Sequence, residues 1–426
     1  MLFGLGFSCV WAQPRVVSID EMFALADGNS AAIRASRTAA DEAQQAATVS
    51  RNAYLPDVRL SASVSYIGNV WVSDRDFSGG QTYESPHLGN NFSVEVSQVL
   101  YAGGAVLNRV KLSELQAELA RLDFAAQTQE VRFLLVEHYL DLYKCRNLLS
   151  VYEQNIDLSQ QVIDAMRARA AEGVVLDNDI VRYELQKQNL IYARTQLLGT
   201  ISILNHQLAV TLGLPATTEI VPDEALLQQE RMAADEAAWQ QSAIENATVL
   251  KRGDVDVTMG ERNEKMAQSA WLPKVALFAA NRLDGPFTYD MPPIDKNVNV
   301  WYVGLGLSYD IGSWYKNGRE AKRSRLALQA ARDRRAVAAE QLGMAVQAAY
   351  TRHVESFEQL KTQQKSVELA ADNYEVVRHR YDSGLALVTD MIDAGNAKLS
   401  AEIGLINAEI DGLMTYYRLK YVSNTL

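Results

Sequence analysis

The sequence predicts a mixed α/β chain that is mostly helical and is built from two copies of one structural unit. Three observations support this. Apolar residues recur at heptad spacing over long stretches without proline, several short segments alternate between apolar and polar residues, and the same order of features occurs twice. Heptad spacing is typical of helices that pack along a narrow seam against neighbouring helices.

The longest helical stretch runs from Ala105 to Leu212 and contains no proline. Its apolar residues are separated by steps of three and four, as in Leu112, Leu115, Leu119, Leu122 and Ala126. The strongest break is Gly173, since glycine can end a helix in the left-handed conformation. We therefore predict two antiparallel helices joined by a tight turn, the first about 100 Å long at about 1.5 Å per residue.

Two segments before this stretch have the period of β-strands. Apolar residues between Val58 and Tyr66 alternate with polar ones, and the alternation returns from Phe92 to Ser97. The polar stretch from Gly68 to Asn91 contains two adjacent glycines and a proline, so we predict a long loop there.

The same series of features then returns roughly 210 residues later. Ala53-Tyr54-Leu55-Pro56 returns as Ala270-Trp271-Leu272-Pro273, and Tyr101-x-x-Gly104 returns as Tyr309-x-x-Gly312. Gly173 and Asp179 return as Gly384 and Asp390. The unit of helix, strand, loop, strand and long helical hairpin is therefore used twice.

The predicted boundaries follow from this repeat. Residues 1–12 form a short apolar run that ends in a small residue, which is typical of a secretory signal peptide. The first repeat spans 13–215, with helices in 18–53, strands 57–67 and 91–101, and a helical hairpin 105–212. The second spans 216–426, with a connector over 216–234, helices in 235–271, strands 274–282 and 298–310, and a hairpin 314–424.

Composition excludes several classes of protein. The net charge of −11 argues against nucleic acid as a partner. Without the signal peptide Cys145 is the only cysteine, so no intramolecular disulfide is expected. The five histidines are scattered and form no metal-binding motif, and we find no cofactor motif and no catalytic constellation. We therefore expect neither a metal site nor an enzyme.

The four predicted strands require a larger assembly. A sheet with one apolar face that spans lipid must close, and a closed barrel of four strands is too narrow to hold its own side chains. The heptad seams also require neighbouring helices. We therefore expect several chains to share one β-barrel and one helical barrel.

The chain resembles the TolC outer-membrane efflux family over nearly its full length. The resemblance rests on the doubled Leu-Pro motif ending at Pro56 and Pro273, on Tyr101-x-x-Gly104, and on Tyr381-Asp382-Ser383-Gly384 followed by Asp390-x-x-Asp393. It implies a homotrimer with a twelve-stranded β-barrel in the outer-membrane lipid of a Gram-negative cell and a periplasmic α-helical tunnel. It also implies export from an inner-membrane RND or ABC transporter through a periplasmic adaptor protein.

The resemblance further implies where function is located. Asp390, Asp393, Asp179 and Tyr381 correspond to a periplasmic gate, although acids at these positions also suit helix N-termini. Some family members clamp the gate with an arginine two residues after the hairpin glycine. That position is Ala386 here, while Arg169 lies on the other hairpin. The sequence therefore does not identify which residue, if any, serves as the polar latch.

The hairpin turns are the remaining implied site. Gly173, Val174, Gly384 and Leu385 correspond to adaptor-docking turns, and ordinary helix–helix turns have the same sequence pattern. Two other interpretations of the whole chain stand beside the channel: a periplasmic coiled-coil adaptor and a structural coiled coil. Both leave the alternating segments unexplained, because their apolar faces would be exposed.

Overall fold

The computed structural model describes residues 14–228, 235–287 and 293–426. The predicted signal peptide, residues 1–12, lies outside the described residues. In chain order the elements are β1 (Pro14–Val17), α1 (Ile19–Asn29), α2 (Ala31–Ser50), β2 (Asp57–Tyr66), β3 (Val70–Val72), β4 (Gln81–Tyr83), β5 (Leu88–Tyr101), α3 (Ala105–Ala171), α4 (Asp177–Leu212), β6 (Glu219–Pro222), α5 (Glu236–Asn246), α6 (Thr248–Ser269), β7 (Lys274–Gly285), β8 (Val298–Ser308), α7 (Ser313–Asp382) and α8 (Val388–Val422). The chain is thus mostly helical with some sheet, as the sequence predicted.

Two segments differ from the sequence prediction. The expected loop over 68–91 contains β3 and β4, which pair as a small antiparallel hairpin, and β5 already begins at Leu88. The expected connector over 216–234 contains β6. The sequence did not predict these strands because three or four residues are too few to show a period of two. In addition, β6 pairs with β1, which lies about 200 residues earlier in the sequence.

The chain folds into two compact units. Among the described residues, the first unit consists of 14–39, 121–228, 235–251 and 336–426, and the second of 40–120, 252–287 and 293–335. Within the described part of the first unit, a core forms where α1, α3, α4 and α8 meet, with Leu135, Leu140, Leu208 and Leu413 almost fully buried. The heptad positions of the sequence thus supply the core of this unit.

Tyr139 of α3 ties the small parallel sheet of β1 and β6 to this core. Its side chain is buried, and its hydroxyl donates to the Val17 carbonyl oxygen at 2.6 Å and accepts from the Asp223 backbone N–H at 2.8 Å. Burial raises the pKa of Tyr139 to about 12. One phenol therefore satisfies two backbone groups at the ends of two short strands.

The second unit contains a four-stranded antiparallel sheet in the order β2-β5-β7-β8. The sheet is open, with β2 and β8 at its two edges. Residues paired directly across antiparallel strands share a face. The register therefore puts Leu60 beside Val94 and, on the other face, Arg59 beside Glu95.

The two faces differ in polarity. One face is apolar and exposed, with Leu60 at 76%, Tyr66 at 79% and Trp301 at 73% of full exposure. The other face carries serines, Asn91 and the ion pair between Arg282 and Glu95 at 2.7 Å, together with the rings of Phe278 and Tyr302. A contiguous exposed apolar face is unusual for a protein surface and marks a site of contact with lipid or protein.

Helices α6 and α7 pack closely within the same unit. A Cβ added at Gly260 would lie only 3.0 Å from a methyl group of Leu328, so glycine permits the approach of the two helices. Ion pairs link Arg325 to Glu264 and Arg335 to Asp254 along the antiparallel pair. Among the described helices, none combines the length and apolar character needed to span a bilayer.

Candidate functional site

The two hairpin turns have the same backbone geometry. Gly173 and Gly384 adopt left-handed conformations, with φ of 75° and 74°. At the first turn Gly173 N–H donates to the Ala170 carbonyl, and Val174 N–H donates to the Arg169 carbonyl. Gly384 and Leu385 repeat both bonds with Tyr381 and Arg380. These paired bonds satisfy the last carbonyls of α3 and α7, which is why each helix ends at its glycine.

The tips of the turns present apolar side chains to solvent. Val174 is 63% exposed and Leu385 is 71% exposed, and Leu176 and Leu387 lie exposed two residues later in each turn. Exposed apolar side chains at equivalent places in both turns form a paired surface, and such surfaces are typical of protein–protein contact.

A buried cluster joins the ends of the two hairpins. It consists of residues from all four helices, namely Ile163, Met166, Ile180, Tyr183, Tyr374, Val388, Met391 and Ala394. Gln186 of α4 also donates to Asn396 of α8 at 2.5 Å. The two turns are therefore held together within one chain, although about 210 residues separate them in sequence.

The predicted gate aspartates differ in their contacts. Asp390 is exposed, and one of its carboxylate oxygens accepts from the Leu387 backbone N–H at 2.8 Å, so it caps the start of α8. Asp393 is exposed one turn later and shares an open concavity with Asp390, Asn373 and Arg380. Asp179 is half-buried in the first turn of α4. Asp390 therefore caps the helix, whereas the Asp393 carboxylate is exposed to solvent.

Tyr381 lies at the contact between the two hairpins, beside an arginine whose role the sequence left open. The Arg169 guanidinium lies 5.3 Å from the Tyr381 ring centroid and donates to the carbonyl oxygens of Tyr381 at 3.4 Å and Asp382 at 3.3 Å. Its side chain is 26% exposed, and it lies 3.9 Å from the Asp382 carboxylate. A cation at the carbonyl end of α7 also interacts favourably with the helix dipole.

The electrostatic surroundings of Tyr381 connect these groups. Burial raises the pKa of Tyr381, the Arg169 guanidinium lowers it, and the carboxylates of Asp179 and Asp382 raise it. Tyr381, Arg169 and Asp179 are therefore close enough to interact, although they belong to different hairpins. Arg169 is named in the sequence analysis but is assigned no contact there, because its partners are about 210 residues away and a basic residue in a last helical turn is common.

No group of three or more His, Cys, Asp or Glu side chains in the described chain has the arrangement of a metal site. The one cysteine there, Cys145, is buried in α3. Burial raises the pKa of its thiol, so it is held in the unreactive protonated form.

Comparison with known proteins gives one consistent family. The profile of the family described as outer membrane efflux protein matches residues 23–200 and 239–422. The outer membrane efflux protein BepC of Brucella suis is 22% identical over 400 residues, which cover 92% of this chain and 82% of BepC. The outer membrane protein TolC of Vibrio cholerae is 23% identical over 437 residues, covering 98% and 92% of the two chains.

The fold is also similar to those of solved structures. The outer membrane protein VceC of Vibrio cholerae superimposes with a TM-score of 0.79 at 13% sequence identity, covering 95% of this chain and 96% of VceC. The CmeC outer membrane channel of Campylobacter jejuni gives a TM-score of 0.77 at 13% identity, covering 96% and 85%. The family profile matches both halves of the sequence, including both hairpin turns, and the chain therefore belongs to the outer membrane efflux protein family.

Proposed function

We propose that this protein is a passive, homotrimeric exit channel of the outer membrane and one component of a tripartite efflux or type I secretion system. Its location in the outer membrane follows from its family. In the proposed pathway an inner-membrane RND or ABC transporter supplies the energy, a periplasmic adaptor joins it to this chain, and substrate leaves through the shared tunnel. The channel performs no chemistry on its cargo.

The observation that carries this proposal is the four-stranded sheet with one apolar face and free edges at β2 and β8. Backbone groups at a sheet edge inside lipid need partners, so the edges must pair. Three copies joined edge to edge give a closed barrel of twelve strands, whose apolar faces contact lipid and whose polar faces line a lumen wide enough for solutes.

The paired hairpin ends are proposed as the periplasmic gate. Asp390 and Asp393 would contribute six carboxylates around the entrance of a trimer, and Asp179 and Tyr381 would lie at its rim. Arg169 is proposed as the latch that holds the second hairpin to the first, because it contacts the last carbonyls of α7 and the Tyr381 ring together. Opening would require these contacts to break.

The latch proposal predicts the behaviour of single channels. Arg169→Ala removes two charge-assisted hydrogen bonds and the ring contact, so we expect the open probability in planar bilayers to rise severalfold. Arg167→Ala is the matched control, since Arg167 lies on the same turn of α3 and pairs with Glu184 of its own hairpin at 2.6 Å. An unchanged open probability in Arg169→Ala with an intact trimer would exclude the latch.

The turns around Gly173, Val174, Gly384 and Leu385 are proposed as the adaptor-docking surface. Support comes from their common geometry and their exposed apolar tips. If they are simple helix–helix turns, Val174→Ser with Leu385→Ser will leave affinity for the adaptor unchanged. If they dock the adaptor, the double variant will weaken its binding at least tenfold.

The first experiment is the mass of the detergent-extracted protein, measured by light scattering with correction for bound detergent. A mass near three times that of the 47.3 kDa chain less its predicted signal peptide, together with pores in planar bilayers, supports the channel. A monomer that stays in solution without detergent would contradict it and favour the periplasmic adaptor.

A further inference from the structure

A concentration of positive charge begins directly after the last strand of the sheet. The first turns of α7, from Ser313 to Leu326, contain five basic residues and a single acid, Glu320. The equivalent start of α3, from Ala105 to Glu118, contains two basic and two acidic residues. The excess charge is therefore a property of the second repeat alone.

The basic side chains are exposed and mostly unpaired. Lys316, Arg319 and Lys322 are exposed, and the described part of the chain offers them no carboxylate at salt-bridge distance. Among the residues that the structure describes, Arg323 pairs with Glu320, one turn earlier on the same helix, and its side chain remains 78% exposed. Arg325 pairs with Glu264 of α6.

The charges are also collected on one side of the helix. Ala321, Ser324 and Leu328 are buried and lie on the face of α7 that packs inward. At about 3.6 residues per turn, Arg319 and Lys322 lie on the opposite face, with Lys316 and Arg323 beside them. We call Lys316, Arg319, Lys322 and Arg323 the basic stripe.

Aromatic and apolar side chains connect the basic stripe to the sheet. Ile311, Trp314 and Tyr315 are 74%, 75% and 75% exposed. The Trp314 indole N–H donates to the hydroxyl of Tyr309, which continues the alternation of the apolar side chains Trp301, Val303, Leu305 and Leu307. Aromatic rings with a polar tip are favoured where hydrocarbon meets headgroups.

We propose that the basic stripe binds the phosphodiester headgroups of anionic phospholipids at the membrane-facing start of α7. This rests on the proposed function, since it requires the apolar face of the sheet to lie in lipid. Lysine and arginine are the natural partners of phosphate oxygens. Each basic side chain near an anionic surface adds about fivefold to the affinity, so the three unpaired residues together give about a hundredfold preference for anionic over zwitterionic lipid.

The test compares lipid binding by two triple variants of the full-length protein in detergent. In the first, Lys316, Arg319 and Lys322 are each changed to Gln. In the matched control, Arg334, Lys361 and Lys365 of the same helix are changed to Gln, since they are also exposed but lie further along α7 from its start. Binding of phosphatidylglycerol and of phosphatidylcholine with identical acyl chains is counted by native mass spectrometry.

We expect the wild-type protein and the control to bind phosphatidylglycerol in preference to phosphatidylcholine, and the first variant to lose most of that preference. Equal preference in all three proteins would overturn the proposal. A first variant that dissociates in the absence of lipid would also overturn it, because the stripe would then contact a second copy of the chain.

The results that would contradict the lipid site differ from those that would contradict the channel function. A wild-type protein that forms pores but binds both lipids equally contradicts only the lipid site. A wild-type protein that forms no pore yet shows the preference for phosphatidylglycerol, lost in the first variant, contradicts the channel and retains the lipid site.

Discussion

At the scale of single residues, the function of a carboxylate depends on whether its oxygens already accept hydrogen bonds from neighbouring groups. Asp390 and Asp393 are one turn apart and equally acidic, but Asp390 uses one carboxylate oxygen to accept from the Leu387 backbone N–H. The Asp393 carboxylate makes no such capping bond and is exposed to the concavity. The two residues should therefore respond differently to the same substitution.

This difference gives a prediction for block by cations. A trivalent cation should block the channel from the periplasmic side, because six carboxylates would surround a narrow entrance. Asp393→Asn should weaken the block at least tenfold without affecting stability. Asp390→Asn should weaken it too and destabilise the start of α8, since Asn at this position lacks the charge that favours a helix N-terminus.

Single-channel recordings with increasing cation concentration measure the block. Asp372→Asn serves as the control, because Asp372 is exposed on α7 outside the concavity. If the double Asp390 and Asp393 variant is blocked as strongly as the wild type, the constriction lies elsewhere.

Tyr139 allows a second prediction at this scale. Tyr139→Phe leaves the Val17 carbonyl and the Asp223 N–H without their partner, which should cost about 1–3 kcal/mol of local stability. Hydrogen exchange at residues 14–17 should accelerate accordingly. Tyr152→Phe on the same helix is the control, and equal exchange rates in the two variants would contradict the assigned role.

The raised pKa of Tyr139 adds a pH dependence with a defined sign. Because the folded pKa of about 12 exceeds the ordinary value of 10.0, its contribution is complete below about pH 10. It is lost as the pH rises towards 12. Protection of residues 14–17 should fall over this range in the wild type and fall less in Tyr139→Phe.

At the scale of elements, the predictions from sequence were good where a pattern extended over many residues. The alternation from Val58 to Tyr66 matches β2, and the break at Gly173 matches the end of α3. The strands β1, β3, β4 and β6 were missed because three or four residues carry no period. Likewise the contact of Arg169 with Tyr381 depends on how two hairpins pack, which no local pattern encodes.

The hairpin glycines provide a prediction for elements. Gly173→Ala and Gly384→Ala each force an L-residue into the left-handed conformation, which should cost about 1–2 kcal/mol at the turn. Open space surrounds both positions, so the penalty comes from the backbone alone. We expect faster hydrogen exchange confined to the altered turn.

The control is Gly199→Ala in the interior of α4, where a Cβ also meets open space but the backbone is helical. That substitution should stabilise the helix by about 0.5–1 kcal/mol. If all three substitutions change the stability in the same direction, the left-handed backbone conformation is not the cause of the destabilisation.

At the scale of the whole molecule, the polarity of the two faces of the sheet determines which environment suits each face. Leu60 and Ser61 are neighbours on β2, both exposed, and they point to opposite faces. In the proposed barrel, Leu60→Arg should cost about 2–4 kcal/mol in the bilayer and lower the yield of folded trimer, whereas Ser61 would face the lumen and Ser61→Arg should be tolerated. Heat-resistant trimer on electrophoresis of membrane extracts measures the difference, and equal yields would contradict the assignment of the faces.

The two free edges of the sheet also have a consequence for the folding and assembly of newly synthesised chains. A chain that has folded but found no partner exposes unpaired backbone groups on β2 and β8 beside a bare apolar face. Such a surface favours indiscriminate strand pairing, so in the proposed assembly every newly synthesised copy is prone to aggregate until its copies have closed the barrel. Raising expression without raising the capacity of the periplasmic chaperones should therefore increase the insoluble fraction faster than the number of channels.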